Sequence, residues 1–159
     1  MFGPTQALRS HIGPTTRLGR FSANYLATGA VRDKKQLKVF WNTVVQTSTD
    51  RELVFNKLPF TATSFQLCLD AVITDPELEI LGFNGCEIDD SKAMDIAQKL
   101  KNSSVRVLLL RDNEINDHGA AVLAENLASK LHKMNLLGNP ISERVKDLIE
   151  FHHGCDIKT

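Results

Sequence analysis

Residues 105–115 read Val105-Arg-Val-Leu108-Leu-Leu110-Arg-Asp-Asn113-Glu-Ile115, and this stretch decides the fold because its spacing recurs. The two related segments are Leu78-Glu-Ile-Leu81-Gly-Phe83-Asn-Gly-Cys86-Glu-Ile88 and Leu131-His-Lys-Met134-Asn-Leu136-Leu-Gly-Asn139-Pro-Ile141. All three follow the pattern L-x-x-L-x-L-x-x-[N/C]-x-I, where L is any large apolar residue, at offsets of 27 and then 26 residues. Self-similarity at such a period indicates a repeat architecture.

Each repeat predicts one strand followed by one helix. The alternating x-L-x-L-x core is typical of a strand with one buried face. The Asn or Cys three positions later is expected to turn inward and bond the backbone of the loop that leaves the sheet. Helical periodicity follows, and Asp89 or Asp90, Asp117 and Ser142 are predicted as N-caps, since their oxygens can accept from free first-turn amides.

The repeated segments resemble leucine-rich-repeat proteins, and their period resembles the ribonuclease-inhibitor-like class. The resemblance covers about two thirds of the chain. It implies an α/β fold: a short leucine-rich-repeat solenoid of parallel strands plus helices. Composition and helical spacing before the repeats add an N-terminal helical cap and an extended basic arm to this fold class. The resemblance also implies a protein-interaction scaffold rather than an activity.

Three segments make up the predicted organisation. Residues 1–32 form a basic extended arm, residues 33–50 a capping helix, and residues 51–159 the leucine-rich-repeat domain with a C-terminal cap. Within the last segment, a degenerate repeat is predicted at 53–60, and Gly154 is predicted to stop the final helix.

Composition fits one modest domain with two differently charged parts. The 159 residues include 19 basic and 19 acidic ones and are 42% apolar. Residues 1–51 hold eight basic and two acidic residues, a formal charge of +6, so residues 52–159 carry −6. Three cysteines do not make a disulfide framework, and no apolar stretch reaches the roughly 18 residues of a membrane span.

The first 32 residues contain four arginines, many Ser, Thr and Gly, and no acidic residue. This composition resembles a mitochondrial transit peptide. The arm contacts are predicted at Arg9, Arg17, Arg20 and Phe21. These side chains would also allow contact with RNA, through the arm only.

Catalytic signatures are missing from the sequence. No phosphate-binding loop, dinucleotide-binding turn, metalloprotease helix or nucleophile elbow is present. The expectation is a protein that is not an enzyme, with no cofactor and no metal site. Cys86 occupies the inward Asn/Cys position of its repeat, and Cys68 is expected in the core.

The repeats offer a surface for a partner protein. Residues that flank each central Leu are expected on the outer face of the sheet, where an exposed apolar stripe would mark a protein–protein contact. The predicted partner-binding residues are Ile80, Asn84, Val107, Leu109, Arg111, Lys133, Asn135 and Leu137. The alternative is that the N-terminal segment folds back over this face.

The predicted function is that of a small accessory or structural subunit of a mitochondrial multiprotein complex, such as a respiratory complex, ATP synthase or mitoribosome. Its partners would be other subunits of that assembly. Two alternatives remain. One is a ciliary or cytoskeletal structural protein whose arm threads along a filament, located in the cytoplasm, cytoskeleton or cilium. The other is an RNA-contacting ribosomal accessory protein.

Overall fold

The computed structural model of the protein describes residues 51–58, 60–73, 76–151 and 154–159. The predicted basic arm at 1–32 and the predicted capping helix at 33–50 therefore lie outside the described residues. In the described part, strands and helices alternate along the chain, as the repeat pattern predicts. The elements are β1 (Glu52–Asn56), α1 (Ala62–Ile73), β2 (Ile80–Asn84), α2 (Asp90–Leu100), β3 (Val107–Leu109), α3 (Asp117–Leu127), β4 (Lys133–Asn135), α4 (Glu143–Glu150) and β5 (Asp156–Lys158).

The strands form one parallel sheet in the order β1-β2-β3-β4-β5, which is the order of the chain. The register aligns the central apolar residue of every strand with its neighbours. This buried row consists of Leu53, Leu81, Leu108, Met134 and Ile157. Because each strand is followed by a helix and then by the next parallel strand, every repeat stacks on its neighbour and the fold is a short α/β solenoid of the leucine-rich-repeat type.

Buried polar side chains at the Asn/Cys position tie each repeat to the previous one. The Asn113 Oδ1 accepts from the backbone N–H groups of Cys86 (2.9 Å) and Ile88 (3.1 Å), and its Nδ2 donates to the Phe83 carbonyl at 2.6 Å. One repeat later, Asn139 accepts from the N–H of Ile115 at 3.1 Å. The inward orientation predicted from the spacing is therefore present, and it satisfies loop amides that would otherwise be buried without partners.

Three of the four described helices begin at a residue whose side chain caps the first turn. Thr61 and Ser64 form a reciprocal box at the start of α1, with the Thr61 N–H donating to the Ser64 Oγ and the Ser64 N–H to the Thr61 Oγ1. Asp89 caps α2 by accepting from the Lys92 N–H at 2.9 Å. Ser142 caps α4 by accepting from the Val145 N–H.

The prediction of Asp117 as an N-cap is wrong. Asn116 holds the cap position of α3 and makes no side-chain capping bond, while Asp117 is the first helical residue. Its carboxylate instead accepts from the N–H of Ser142 at 2.6 Å and from the Ser142 hydroxyl at 2.8 Å. Asp90 does the same one repeat earlier, accepting from the Asn116 N–H at 2.7 Å. These carboxylates bond forward to the next repeat because the helix starts lie side by side.

The degenerate first repeat is a full member of the sheet. β1 pairs with β2 over all five of its residues. Phe55 stacks on Phe83 with ring centroids 5.6 Å apart, and Phe60 and Phe65 meet Phe83 edge-on. This aromatic cluster replaces the aliphatic packing of the later repeats, and edge-on and stacked arrangements are the favourable geometries for such rings.

The end of the chain adds a strand that the sequence pattern did not reveal. Gly154 adopts a positive φ of 93°, and the chain then continues as β5, parallel to β4. The C-terminal cap predicted for residues 152–159 is therefore a fifth strand of the sheet in its described part.

Candidate interaction surface

The face of the sheet opposite the helices is the candidate site. Along β1, β3 and β4, buried side chains that point to the helices alternate with more exposed ones that point away from them. Four aliphatic side chains on the outward side are half-buried. They are Val54, Ile80, Val107 and Leu109, and we call them the apolar patch.

Gly82 lets the apolar patch close into one continuous surface. A Cβ atom at this position would lie 2.8 Å from the Cγ1 of Val54 and 3.2 Å from the Cβ of Leu109. The side chains of Val54 on β1 and Leu109 on β3 therefore both lie against Gly82 of β2, in space that a larger residue would need.

Charged and polar side chains border the apolar patch on the β4 and β5 side. The register places Lys133 beside Val107, and Asp156 beside Lys133. In the next row, Asn135 lies beside Leu109, and Lys158 beside Asn135. On the opposite side, Glu52 lies beside Ile80. The aliphatic side chains of β1–β3 therefore lie between polar ones on β1 and on β4–β5, an arrangement of apolar centre and polar rim that suits a protein partner.

The predicted residues at the strand ends and just beyond them divide into a hydrogen-bonded group and an exposed group. Arg111 and Leu137 are exposed, the latter by 36%. Asn84 accepts from the Arg111 N–H at 3.0 Å and donates to the Asn56 Oδ1 at 3.2 Å. The Asn135 Oδ1 accepts from the N–H of Leu137 at 3.1 Å. The two amides therefore organise the edge of the sheet through bonds within the chain.

Val54 is the member of the apolar patch that the sequence analysis missed. The repeat consensus fits β1 poorly, so residues around Leu53 were not aligned with the outward positions of later repeats. The signal was nonetheless present, because Leu53 and Phe55 are apolar at alternate positions and Val54 lies between them. The predicted arm contacts Arg9, Arg17, Arg20 and Phe21 lie outside the described residues.

The cysteine thiols are buried and unreactive in character. Cys68, Cys86 and Cys155 are all free thiols. Burial raises the pKa of the Cys86 thiol to about 11, although backbone hydrogen bonds oppose the shift, and burial also raises the pKa of Cys68 and of Cys155. Because the thiolate is the nucleophile and the metal ligand, such thiols are inert at neutral pH.

The described residues show no metal-binding cluster, and the carboxylates around their cavity are already hydrogen-bonded. No group of three His, Cys, Asp or Glu side chains among them is placed to hold a metal ion. A cavity of about 420 Å³ lies at the starts of α2, α3 and α4, lined by Asp90, Asp117, His118 and Ser142 among others. Its carboxylates already accept hydrogen bonds from Asn116 and Ser142. In the described part of the chain, no helix combines the length and hydrophobicity needed to cross a membrane.

Comparison with known proteins identifies similar folds only. No model of a known protein family matches the chain, and no curated protein matches it. Among solved structures, actin-binding site 2 of leiomodin-1 is similar with a TM-score of 0.56 and 19% identity, over 74% of this chain and 69% of that chain. The C-terminal domain of tropomodulin from Caenorhabditis elegans is similar with a TM-score of 0.58 and 16% identity, over 79% and 84% of the two chains.

These findings correct the resemblance to the ribonuclease-inhibitor-like class of leucine-rich-repeat proteins. No family model supports that assignment, and the similar structures are domains of leiomodin and tropomodulin. The pattern misled for a physical reason: apolar spacing and an inward Asn specify a strand, a loop and a helix, which any protein with stacked units of this kind requires. A leucine-rich-repeat-like fold remains compatible with both similar structures.

Proposed function

We propose that this protein is a non-catalytic interaction scaffold of the actin cytoskeleton, and that it binds actin through the apolar patch on its sheet. The observation that carries the proposal is the likeness of its fold to a leiomodin-1 domain described as an actin-binding site. Fold alone does not fix a function. The proposal therefore also needs a surface on this chain that could serve the contact.

The apolar patch is the surface that supports the proposal best. Val54, Ile80, Val107 and Leu109 are half-buried, on the face that the described helices leave open. Contiguous apolar surface with a polar rim favours a protein partner over a small ligand or a nucleic acid. Lys133 and Arg111 at the border would add charge recognition, and Leu137 would extend the contact past the strand ends.

A cytoskeletal location follows from this function and replaces the mitochondrial assembly as our preferred hypothesis. The mitochondrial interpretation depends on the composition of residues 1–32, and neither similar structure supports it. The predicted filament-threading role of the arm is compatible with actin as partner. RNA contact through the arm has no support in either similar structure.

Co-sedimentation with filamentous actin and binding to monomeric actin test the proposal. Replacing Leu109 by Glu puts a charge in the middle of the apolar patch, and we expect at least about a tenfold loss of affinity, as for a central interface residue. Met94→Glu is the matched control, because Met94 is also apolar and 38% exposed but belongs to α2 on the other side of the sheet. The control should bind as the unchanged protein does.

Folding must be monitored in the same variants. Leu109 is half-buried beside Gly82, so Leu109→Glu could also weaken the sheet. Val107→Ser is the milder variant, and it should reduce actin binding without loss of helical circular dichroism. If the unchanged protein binds neither form of actin, or if folded Leu109→Glu and Val107→Ser bind normally, the proposed function is wrong.

A further inference from the structure

The last strand of the sheet has an open edge in the described structure. β5 contacts β4 through the N–H of Asp156, which donates to the His132 carbonyl at 2.9 Å, and through the Lys158 carbonyl, which accepts from the Leu136 N–H at 2.6 Å. In a parallel strand, alternate residues bond to opposite neighbours. The N–H and C=O of Ile157 therefore point away from β4, to a side on which no described strand lies.

The last helix is exposed at the same end of the solenoid. α2 buries four residues, Ala93, Ile96, Ala97 and Leu100, whereas Ile149 is the buried residue of α4. Leu148 on α4 is 64% exposed. In the inner repeats, a neighbouring strand and helix pack on both sides, whereas no described strand lies beyond β5 in the sheet.

We propose that this end binds the same end of a second copy of the chain, with β5 of one copy antiparallel to β5 of the other about Ile157. The two Ile157 residues would then exchange a pair of backbone hydrogen bonds, and one sheet would continue through both copies. A two-fold axis perpendicular to the sheet keeps the helices of both copies on one side, where the two α4 helices lie next to each other with Leu148 between them.

Charge complementarity selects a second copy as the occupant. With Ile157 opposite Ile157, Asp156 of each copy lies opposite Lys158 of the other, on the outer face of the sheet. Opposite charges at directly facing positions stabilise an antiparallel pair, and like charges destabilise it. Sheet edges that are protected against pairing usually carry charge that repels a neighbour. The Asp156-Ile-Lys158 sequence does the reverse, because it is complementary to itself in the antiparallel direction.

Sedimentation analysis of the full chain between about 1 and 100 μM tests the proposal through charge exchange. Asp156→Lys and Lys158→Asp each create two pairs of like charges across the two-fold axis. We therefore expect the dimer affinity of each variant to fall about tenfold or more. A mixture of the two variants should form a heterodimer, because the two lysines of the first variant then face the two aspartates of the second. Leu148→Glu should also weaken the dimer, and Met94→Glu should not.

Several results would overturn the pairing. They are a monomeric unchanged protein at the highest concentration, dimers of unaltered affinity in both charge variants, or a mixture that stays monomeric. Thermal unfolding at 1 μM checks that each variant is folded, since Asp156 also lies beside Lys133 within the sheet. The pairing does not depend on the proposed actin binding, which uses the apolar patch on β1–β3.

Discussion

Asn113 connects two repeats through a single buried side chain. Its carbonyl oxygen accepts from two loop N–H groups of the previous repeat, and its amide donates to Phe83 and Arg111 carbonyls. Asn113→Ala removes the acceptor of the buried N–H groups of Cys86 and Ile88, and each buried group that loses its partner costs about 1–3 kcal/mol. We expect the free energy of unfolding to fall by about 3 kcal/mol, measured by urea denaturation.

Asn102 provides the control for this substitution. It lies exposed in the loop after α2, so Asn102→Ala should change the free energy of unfolding by less than about 0.5 kcal/mol. Equal effects of the two substitutions would show that the inter-repeat bonds of Asn113 contribute little to stability.

Single residues differ in how well their roles can be predicted from sequence. The inward position of Asn113 and Asn139 follows from spacing alone. A polar residue at a fixed offset after an apolar strand is placed to hydrogen-bond the backbone N–H and C=O groups of the turn that follows. The forward bonds of Asp90 and Asp117 do not follow from spacing. These bonds depend on the distance between the starts of adjacent helices. The stacking of repeats sets this distance, so the sequence of one repeat does not reveal it.

At the scale of the element, the contact between α3 and α4 predicts a dependence on pH. The N–H and the hydroxyl of Ser142 hold the pKa of Asp117 below its usual value of 3.8. A carboxyl group whose pKa is lower in the folded state stabilises the fold above its unfolded pKa, and this contribution disappears as the pH falls through the folded pKa. Asp117→Asn should therefore lower the urea midpoint at pH 6 and have a smaller effect near pH 2.5.

Asp147→Asn is the control for the pH experiment, because Asp147 is exposed on α4. Its urea midpoint should follow that of the unchanged protein at every pH. If the urea midpoints of Asp117→Asn and of the wild-type protein differ by the same amount at pH 6 and at pH 2.5, the role given to the carboxylate is wrong.

A strand could be predicted well where it lies in a long repeated sequence pattern and poorly where it does not. β2, β3 and β4 each lie within an eleven-residue repeat, which fixes both their position and their buried side. β5 has three residues, Asp156–Lys158, and one apolar side chain among them, which is too short for alternation to be recognised. β5 forms because it pairs with β4, and this tertiary contact cannot be predicted from the local sequence.

At the scale of the whole molecule, sequence determined the architecture better than the role. A solenoid of stacked units follows from the repeats, yet the same scaffold supports many partners. Residues 52–159 carry a charge of −6, and aliphatic side chains lie on the outer face of the sheet. These features restrict the kind of partner, but they do not identify it. The location was predicted from residues 1–32 alone, whereas the folds similar to the repeat domain led to the cytoskeletal proposal.

Stability should vary along the solenoid, and hydrogen exchange can measure the gradient. Repeats contact their neighbours only, so a terminal repeat opens at lower cost than an inner one. In α3, Gly119, Ala120, Leu123, Ala124 and Leu127 are buried, against Ile149 in α4. At about 1 μM, we expect the amides of α4 and β5 to exchange at least about tenfold faster than those of α2 and α3.

Raising the concentration to about 100 μM should slow exchange in α4 and β5 alone, because a second copy would cover them, and leave α2 and α3 unchanged. Lys158→Asp under the same conditions should keep the fast exchange, which separates pairing from any general effect of concentration. Uniform protection across α2, α3 and α4 in the dilute protein would contradict the gradient. A gradient that persists unchanged at high concentration would contradict the pairing, since a covered end must open less often.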